Sequence, residues 1–166
     1  MTSFAHLPYR PCAGVMLLNA EGQVFVGQRL DSTLEAWQMP QGGIDPGEDP
    51  LDAAYRELWE ETGVVREHVE LLAAPEIELE YDLPDDLVGK VWKGKWRGQR
   101  QRWFLFRLNA GDDVIDIATA EPEFRAWRWI DPRELPDVIV PFKRTLYIDI
   151  LRIFAEPLGI AEAGEA

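Results

Sequence analysis

The sequence predicts an α/β fold, a mixed β-sheet held between helices as an α/β/α sandwich, in one domain spanning residues 1–166. Three observations carry this. Several apolar runs of strand length are separated by turns bearing Gly and Pro. Two stretches repeat their apolar residues at helical spacing and are interspersed with the strands. The 166 residues, 46% hydrophobic and 28% charged, suit one core; a chain of this size buries roughly 68–70% of its unfolded surface and needs no disulfide or structural metal to fold.

The elements follow in chain order. Residues 1–8 read as a lead-in. Residues 13–19 and 23–28 are short apolar runs joined by Ala20, Glu21 and Gly22, which reads as a hairpin. Residues 37–39 form a short strand stopped by Pro40 and two glycines. A helix comes next. Asp49 can cap it, Pro50 sits where a missing N–H costs nothing, and Gly63 suits its end. Leu51, Ala54, Tyr55, Leu58 and Trp59 form its apolar stripe. Residues 69–79 are extended, 84–100 irregular, and 103–108 and 124–130 strands. Residues 142–154 form a second amphipathic helix, with Pro141 at its start and Pro157 beyond its end. Residues 156–166 read as a frayed tail, leaving a core of residues 9–155.

Composition narrows the function. A single cysteine, Cys12, excludes an intrachain disulfide and favours a reducing compartment, so a cytoplasmic location is expected. Cys12 reads as a small buried hydrophobe, and His6 and His68 as incidental. Residues 13–18 are too short for a signal-peptide core or a membrane span. Seventeen basic against thirty acidic residues give a net charge of −13, which argues against DNA and against anionic membranes as partners. The charge is segregated, however. Residues 87–107 hold Lys90, Lys93, Lys95, Arg97, Arg100, Arg102 and Arg107 and no acid. A local cationic strip on an acidic body points to a local anionic partner.

The chemistry concentrates in residues 41–64. Glu57, Glu60 and Glu61 stand at i, i+3 and i+4 on one helical face, turned away from the apolar stripe, and Glu48 lies in the preceding loop. Such a cluster is ordinarily a solvated face. It also suits a divalent cation, and all-oxygen anionic donors fit Mg²⁺ or Mn²⁺ rather than zinc. The loop before the helix holds three glycines and a proline, so a ligand can approach its backbone. Metal-binding carboxylates, a tight glycine loop and a cationic strip together suggest a polyphosphate substrate.

These residues resemble the Nudix family. Gly42, five residues, Glu48, seven residues, then Arg56-Glu57-Leu58-Trp59-Glu60-Glu61-Thr62-Gly63-Val64 match the Nudix box at every defined position. With seven fixed identities and two apolar ones, a chance match is on the order of one in a million at ordinary residue usage. The flanks Tyr9-Arg10-Pro11, Trp37-Gln38-Met39-Pro40-Gln41-Gly42-Gly43, Gly98-Gln99-Arg100-Gln101-Arg102-Trp103-Phe104, Pro122-Glu123-Phe124 and Phe142-Lys143-Arg144 look like those of one subgroup. That subgroup comprises bacterial RNA pyrophosphohydrolases and asymmetric dinucleoside tetraphosphate hydrolases.

The resemblance implies a Mg²⁺-dependent pyrophosphohydrolase, with Mn²⁺ able to substitute, acting as a monomer on 5′-triphosphorylated RNA or another nucleoside polyphosphate. It implies that Glu57, Glu60, Glu61 and Glu123 hold the metal and that Glu61 or Glu123 is the general base. Arg56 would tether the box loop through Glu48. Arg10, Arg29 and Lys143 would contact phosphates, beside the backbone of Gly42 and Gly43. Phe142 would stack on a base or else anchor its helix in the core; the residues leave both open. Pyrophosphate removal from RNA is the first expectation. The alternative is splitting diadenosine tetraphosphate to ATP and AMP, which the acidic body favours.

Overall fold

The computed structural model describes residues 6–31 and 35–160. The expected lead-in up to residue 5 and the last six residues of the expected tail lie outside that range.

Among the described residues eight strands form one sheet: β1 (Tyr9–Leu18), β2 (Val24–Arg29), β3 (Trp37–Gln38), β4 (Gln41–Gly43), β5 (Val69–Ala73), β6 (Glu78–Asp82), β7 (Gly98–Leu108) and β8 (Phe124–Ile130). Among the described residues four α-helices complete the fold: α1 (Pro50–Thr62), α2 (Leu135–Val138), α3 (Arg144–Ile153) and α4 (Ala155–Leu158). β1 and β7 pair in parallel along their length, from Tyr9↔Gly98 to Leu18↔Arg107. The remaining pairs are antiparallel: β2 and β4 on β1, β5 and β6 on β7, and β3 and β8 on β2.

Alternation along the central strands explains the layers. Side chains one residue apart on a strand point to opposite faces. Ala13, Val15, Leu17, Phe104, Phe106 and Leu108 pack with Ala53, Ala54 and Leu58 of α1. Met16, Leu18, Trp103 and Leu105 face the other way and pack with Leu146, Tyr147 and Ile150 of α3. Both faces of the sheet are therefore apolar and both are covered, which produces the sandwich. No helix among the described residues is long and apolar enough to cross a membrane.

Several expected boundaries shift. Residues 69–79 are not one extended run but parts of β5 and β6, and β6 continues to Asp82. β7 begins at Gly98, because β6 and β1 supply pairing partners for a segment of low strand character. Gln41–Gly43 is a strand, held by β1 at Cys12–Gly14, although two of its three residues are glycine. The second long helix starts at Arg144, after one 3₁₀ turn over Pro141–Lys143. Residues 156–158 are helical rather than frayed, closed by Gly159 in the left-handed conformation.

Candidate active site

The helix α1 turns two of its acids, Glu57 and Glu61, inward. Asp49 caps it by accepting hydrogen bonds from the Leu51 and Asp52 amides at 3.0 and 3.3 Å, and Gly63 ends it at φ 73°. Its buried stripe is Ala53, Ala54, Glu57, Leu58, Glu61 and Thr62. The expected stripe through Trp59 is thus corrected: Trp59 is 56% exposed, while Glu57 and Glu61 are 9% and 4% exposed. The acidic face does not point wholly into solvent; only Glu60 of the three is exposed. The reason lies in β4. Gly42 has no side chain, and a Cβ there would overlap the Glu57 carboxyl, so the glycine provides the space into which the acid is buried.

Arg56 organises the loop before α1. Its Nε and Nη2 donate to Glu48 Oε2 and Oε1 at 2.9 and 2.8 Å. Nη2 also donates to the Gly43 carbonyl at 2.8 Å, and Nη1 donates to Glu57 Oε1 at 2.8 Å and Glu60 Oε2 at 3.2 Å. One planar guanidinium therefore connects the loop, β4 and two helix acids, a bidentate geometry that lysine cannot reproduce. The pair holds the Glu48 carboxyl down at about 2, and Arg56 is stabilised as a cation in return.

One cavity of about 250 Å³ collects nearly every candidate residue. Arg10, Arg29, Gly42, Gly43, Glu57, Glu60, Glu61, Glu123 and Lys143 all line it, from β1, β2, β4, α1 and two loops. Sequence reasoning missed four further lining residues: Gln38, Gln41, Trp92 and Gln99. Gln38, Gln41 and Gln99 lie within the subgroup-like flanks, but Trp92 sits in a loop whose sequence carries no pattern to place it. Burial pushes the Glu57 and Glu123 carboxyls above the ordinary carboxylate range, against the pull of Arg56 and Arg29 respectively. Burial, then the charges of Glu57 and Glu123, raises Glu61 well above that range. Burial, then the nearby Arg29, lowers the Lys143 ammonium to about 8. Arg29 is also paired with Asp31, at 2.7 Å from Nε to Oδ1, a partner the sequence did not suggest. Cys12 lies fully buried beneath Arg10, and burial pushes its thiol up to about 11.

A second cavity of about 550 Å³ adjoins the first, and Arg29, Gln38, Trp92 and Lys143 line both. Its remaining wall is largely apolar and includes Tyr81, Leu83, Leu87, Val91, Ile139 and Phe142. Phe142 is 38% exposed, with its ring centroid 6.1 Å from that of Tyr81. It is not the core anchor of α3; Leu146, Tyr147 and Ile150 fill that role.

The cationic strip is less continuous than its sequence suggests. Arg97 pairs with Asp82 at 3.1 Å and Arg100 with Glu80 at 2.6 Å. Arg102 donates to the carbonyls of Ala74 and Pro75. The antiparallel β6 brings acids alongside β7, with Glu80 opposite Arg100 and Glu78 opposite Arg102. Charges far apart in sequence thereby neutralise one another.

The carboxylate set fits a divalent metal in its chemistry. All donors are hard oxygens, and the buried Glu61 Oε2 has no hydrogen-bond partner among the described residues. No group of three or more His, Cys, Asp or Glu among the described residues is already gathered as a metal cage. Arg56 instead holds Glu57 and Glu60 in ion pairs, and Glu123 comes from a separate segment.

A model of the NUDIX domain matches residues 8–150. The chain is 59% identical over 150 residues to an RNA pyrophosphohydrolase of Roseobacter denitrificans, covering 90% of this chain and 94% of that protein. It is 61% identical over 148 residues to an RNA pyrophosphohydrolase of Sphingopyxis alaskensis, covering 89% and 94%. Among solved structures, the C. elegans Ap4A hydrolase superposes with a TM-score of 0.62 at 23% identity, over 90% of this chain and 98% of that one, a likeness of fold.

Proposed function

The chain belongs to the Nudix family, and on that premise we propose that it is a pyrophosphohydrolase that removes pyrophosphate from the 5′-triphosphate end of RNA. The single observation that carries this reading is the first cavity, where the buried Glu57 and Glu61 and three cationic side chains face one space beside a largely apolar-walled chamber of about 550 Å³. Relatives with RNA pyrophosphohydrolase activity in their names support the substrate.

Arg10, Arg29 and Lys143 bind the phosphate chain and hold its oxygens beside α1. Glu57, Glu60, Glu61 and Glu123 are the residues that would hold Mg²⁺, with Mn²⁺ able to substitute. When bound, that cation supplies charge neutralisation on phosphate oxygens and a more acidic water. Glu61 Oε2 is free to accept the proton of the attacking water, and Glu123 is the other candidate base. Water adds at phosphorus, the P–O bond to the leaving pyrophosphate breaks, and the RNA keeps a 5′-monophosphate. Phe142 and Tyr81 offer a base an aromatic wall in the second cavity.

The charge of −13 favours a second substrate with the same chemistry, diadenosine tetraphosphate, split to ATP and AMP. A side-by-side turnover assay with Mg²⁺, using a 5′-triphosphorylated RNA, diadenosine tetraphosphate and a Glu61→Gln control, tests the choice. Release of pyrophosphate or successive phosphates from RNA by the wild type alone is the expected result. Turnover of the dinucleotide with RNA left intact would replace the first reading by the second.

A further inference from the structure

The loop of residues 84–97 has two sides, and only one of them belongs to the cavities described above. Leu83, Leu87, Val91 and Trp92 form part of the apolar wall. Lys90, Lys93 and Lys95 are exposed, and none of them has an ion pair among the described residues. The loop's acids, Asp85 and Asp86, both precede this stretch. Of the cationic strip, Arg97 and Arg100 are neutralised by β6 and Arg102 is turned to backbone carbonyls, whereas the three lysines flank Trp92 of the cavity wall with no acid paired to them among the described residues.

The loop is also tightly built. The Leu83 amide donates to the Arg97 carbonyl at 2.8 Å, closing its neck. The amides of Lys90, Gly94 and Lys95 donate to the carbonyls of Leu87, Val91 and Trp92. Trp92, Lys93 and Gly94 are three consecutive residues with positive φ, at 50°, 59° and 70°. Two of them are not glycine, a conformation that persists only where surrounding structure imposes it. The outcome places Trp92 at the junction of both cavities, 5.3 Å from the Arg10 guanidinium, with Lys93 next to it in solvent.

We propose that this loop is the track for the RNA body, with Lys90, Lys93 and Lys95 contacting backbone phosphates downstream of the 5′ end held in the cavities. The inference rests on the reading of RNA as substrate. It resolves the conflict between an acidic protein and a polyanionic substrate: attraction is confined to a single rim, and the rest of the surface repels the chain away from wrong approaches. None of these lysines lines either cavity, so under this proposal they act on a polymer and not on a small nucleotide held within the cavities.

The test compares wild type with the Lys90→Ala/Lys93→Ala/Lys95→Ala variant on two triphosphorylated RNAs, one of about ten nucleotides and one dinucleotide, and on diadenosine tetraphosphate. For the longer RNA, KM should rise on the order of tenfold, and the slope of log affinity against log salt should become shallower by about 2, as loss of three single-strand phosphate contacts requires. KM for both short substrates and all kcat values should stay put, and a triple Lys→Arg variant should keep wild-type KM. An unchanged KM for the longer RNA, with wild type still active on it, would overturn the track alone. An equal rise for all substrates would also overturn it, since the lysines would then act on the cavities. Absence of any RNA turnover by wild type would overturn the track together with the RNA function.

Discussion

Gly42 lies so close to Glu57 that a Cβ on the glycine would overlap the carboxyl group. Gly42→Ala is therefore a substitution against a candidate metal ligand, not a mild change in a loop. Displacement of the acid should lower kcat strongly, and the overpacking should cost about 1–3 kcal/mol of stability. Parallel measurement of Mg²⁺-supported turnover and thermal unfolding checks both parts. Full activity in the alanine variant would mean that Glu57 is dispensable where it stands.

Arg56 connects Glu48, Gly43 and two helix acids, with its own side chain 28% exposed and that of Glu48 18%. Arg56→Lys retains the charge and loses the fork, and should destabilise the fold by about 1–3 kcal/mol. Glu48 adds a pH signature. Its carboxyl is depressed from the ordinary 4.5 to about 2, so its stabilisation is complete above 4.5 and is lost as pH falls through about 2. Acid unfolding of Glu48→Gln should lack this component, and a chemical-denaturation series between pH 5 and about 2 would detect it.

Glu61 should oppose stability and support activity. Its folded carboxyl holds its proton to a higher pH than the unfolded one. Relative to acid, its burial therefore destabilises the metal-free fold as pH rises through the folded value. Glu61→Gln should melt higher than wild type at pH 8 in EDTA and lose roughly 10²–10⁴-fold in turnover. Added Mg²⁺ should raise the melting temperature of wild type and leave the variant unmoved. A variant that melts lower in EDTA would contradict the burial argument.

Lys143 predicts the alkaline limb. Its ammonium is lowered to about 8, so the cation proposed to face phosphate is lost as pH climbs through that value. The ratio kcat/KM should fall above pH 8, chiefly through KM, because the free enzyme titrates. Lys143→Arg should remove the fall by keeping its charge. A pH–rate profile of the two proteins is sufficient.

Phe142 should matter to binding and not to folding. Its ring is substantially exposed at the second cavity, away from the α3 core. Phe142→Ala should weaken substrate binding by about 1–3 kcal/mol if it stacks on a base. Its unfolding midpoint should move little. A large fall in the midpoint would return the residue to a packing role.

Local chemistry made much of this architecture readable. β8 could be bounded from Phe124 to Ile130, and α1 from the Asp49–Pro50 start to Gly63, since capping and alternation are written in adjacent residues. The strand Gln41–Gly43 was not readable, because its partner β1 lies some thirty residues earlier and glycine has no strand preference of its own. The inward turn of Glu57 and Glu61 escaped a helical wheel for a related reason. A wheel assigns acids to water, and here a glycine on another element makes room for them inside. The box motif named candidates that the fold brings to one cavity; it carried nothing about Trp92 or Asp31, whose positions depend on loop geometry and on a neighbouring arginine.

The parallel pairing of β1 with β7 sets the tolerance of the whole design to insertions. Arg10 is the second residue of β1, Cys12–Gly14 hold β4 and its glycines, and the same ten-residue register carries Gln99 into the cavity wall. A one-residue insertion at the middle of β1 would invert every side chain before it relative to those after it. Either the cavity-lining Arg10 or the apolar layer would then face the wrong way. An extra residue between β1 and β2, beyond Asn19, meets no such constraint. The central strand thus works as a ruler shared by the core and the chemistry, and lineages that vary this enzyme should do so at its loops while keeping the length of that ruler fixed.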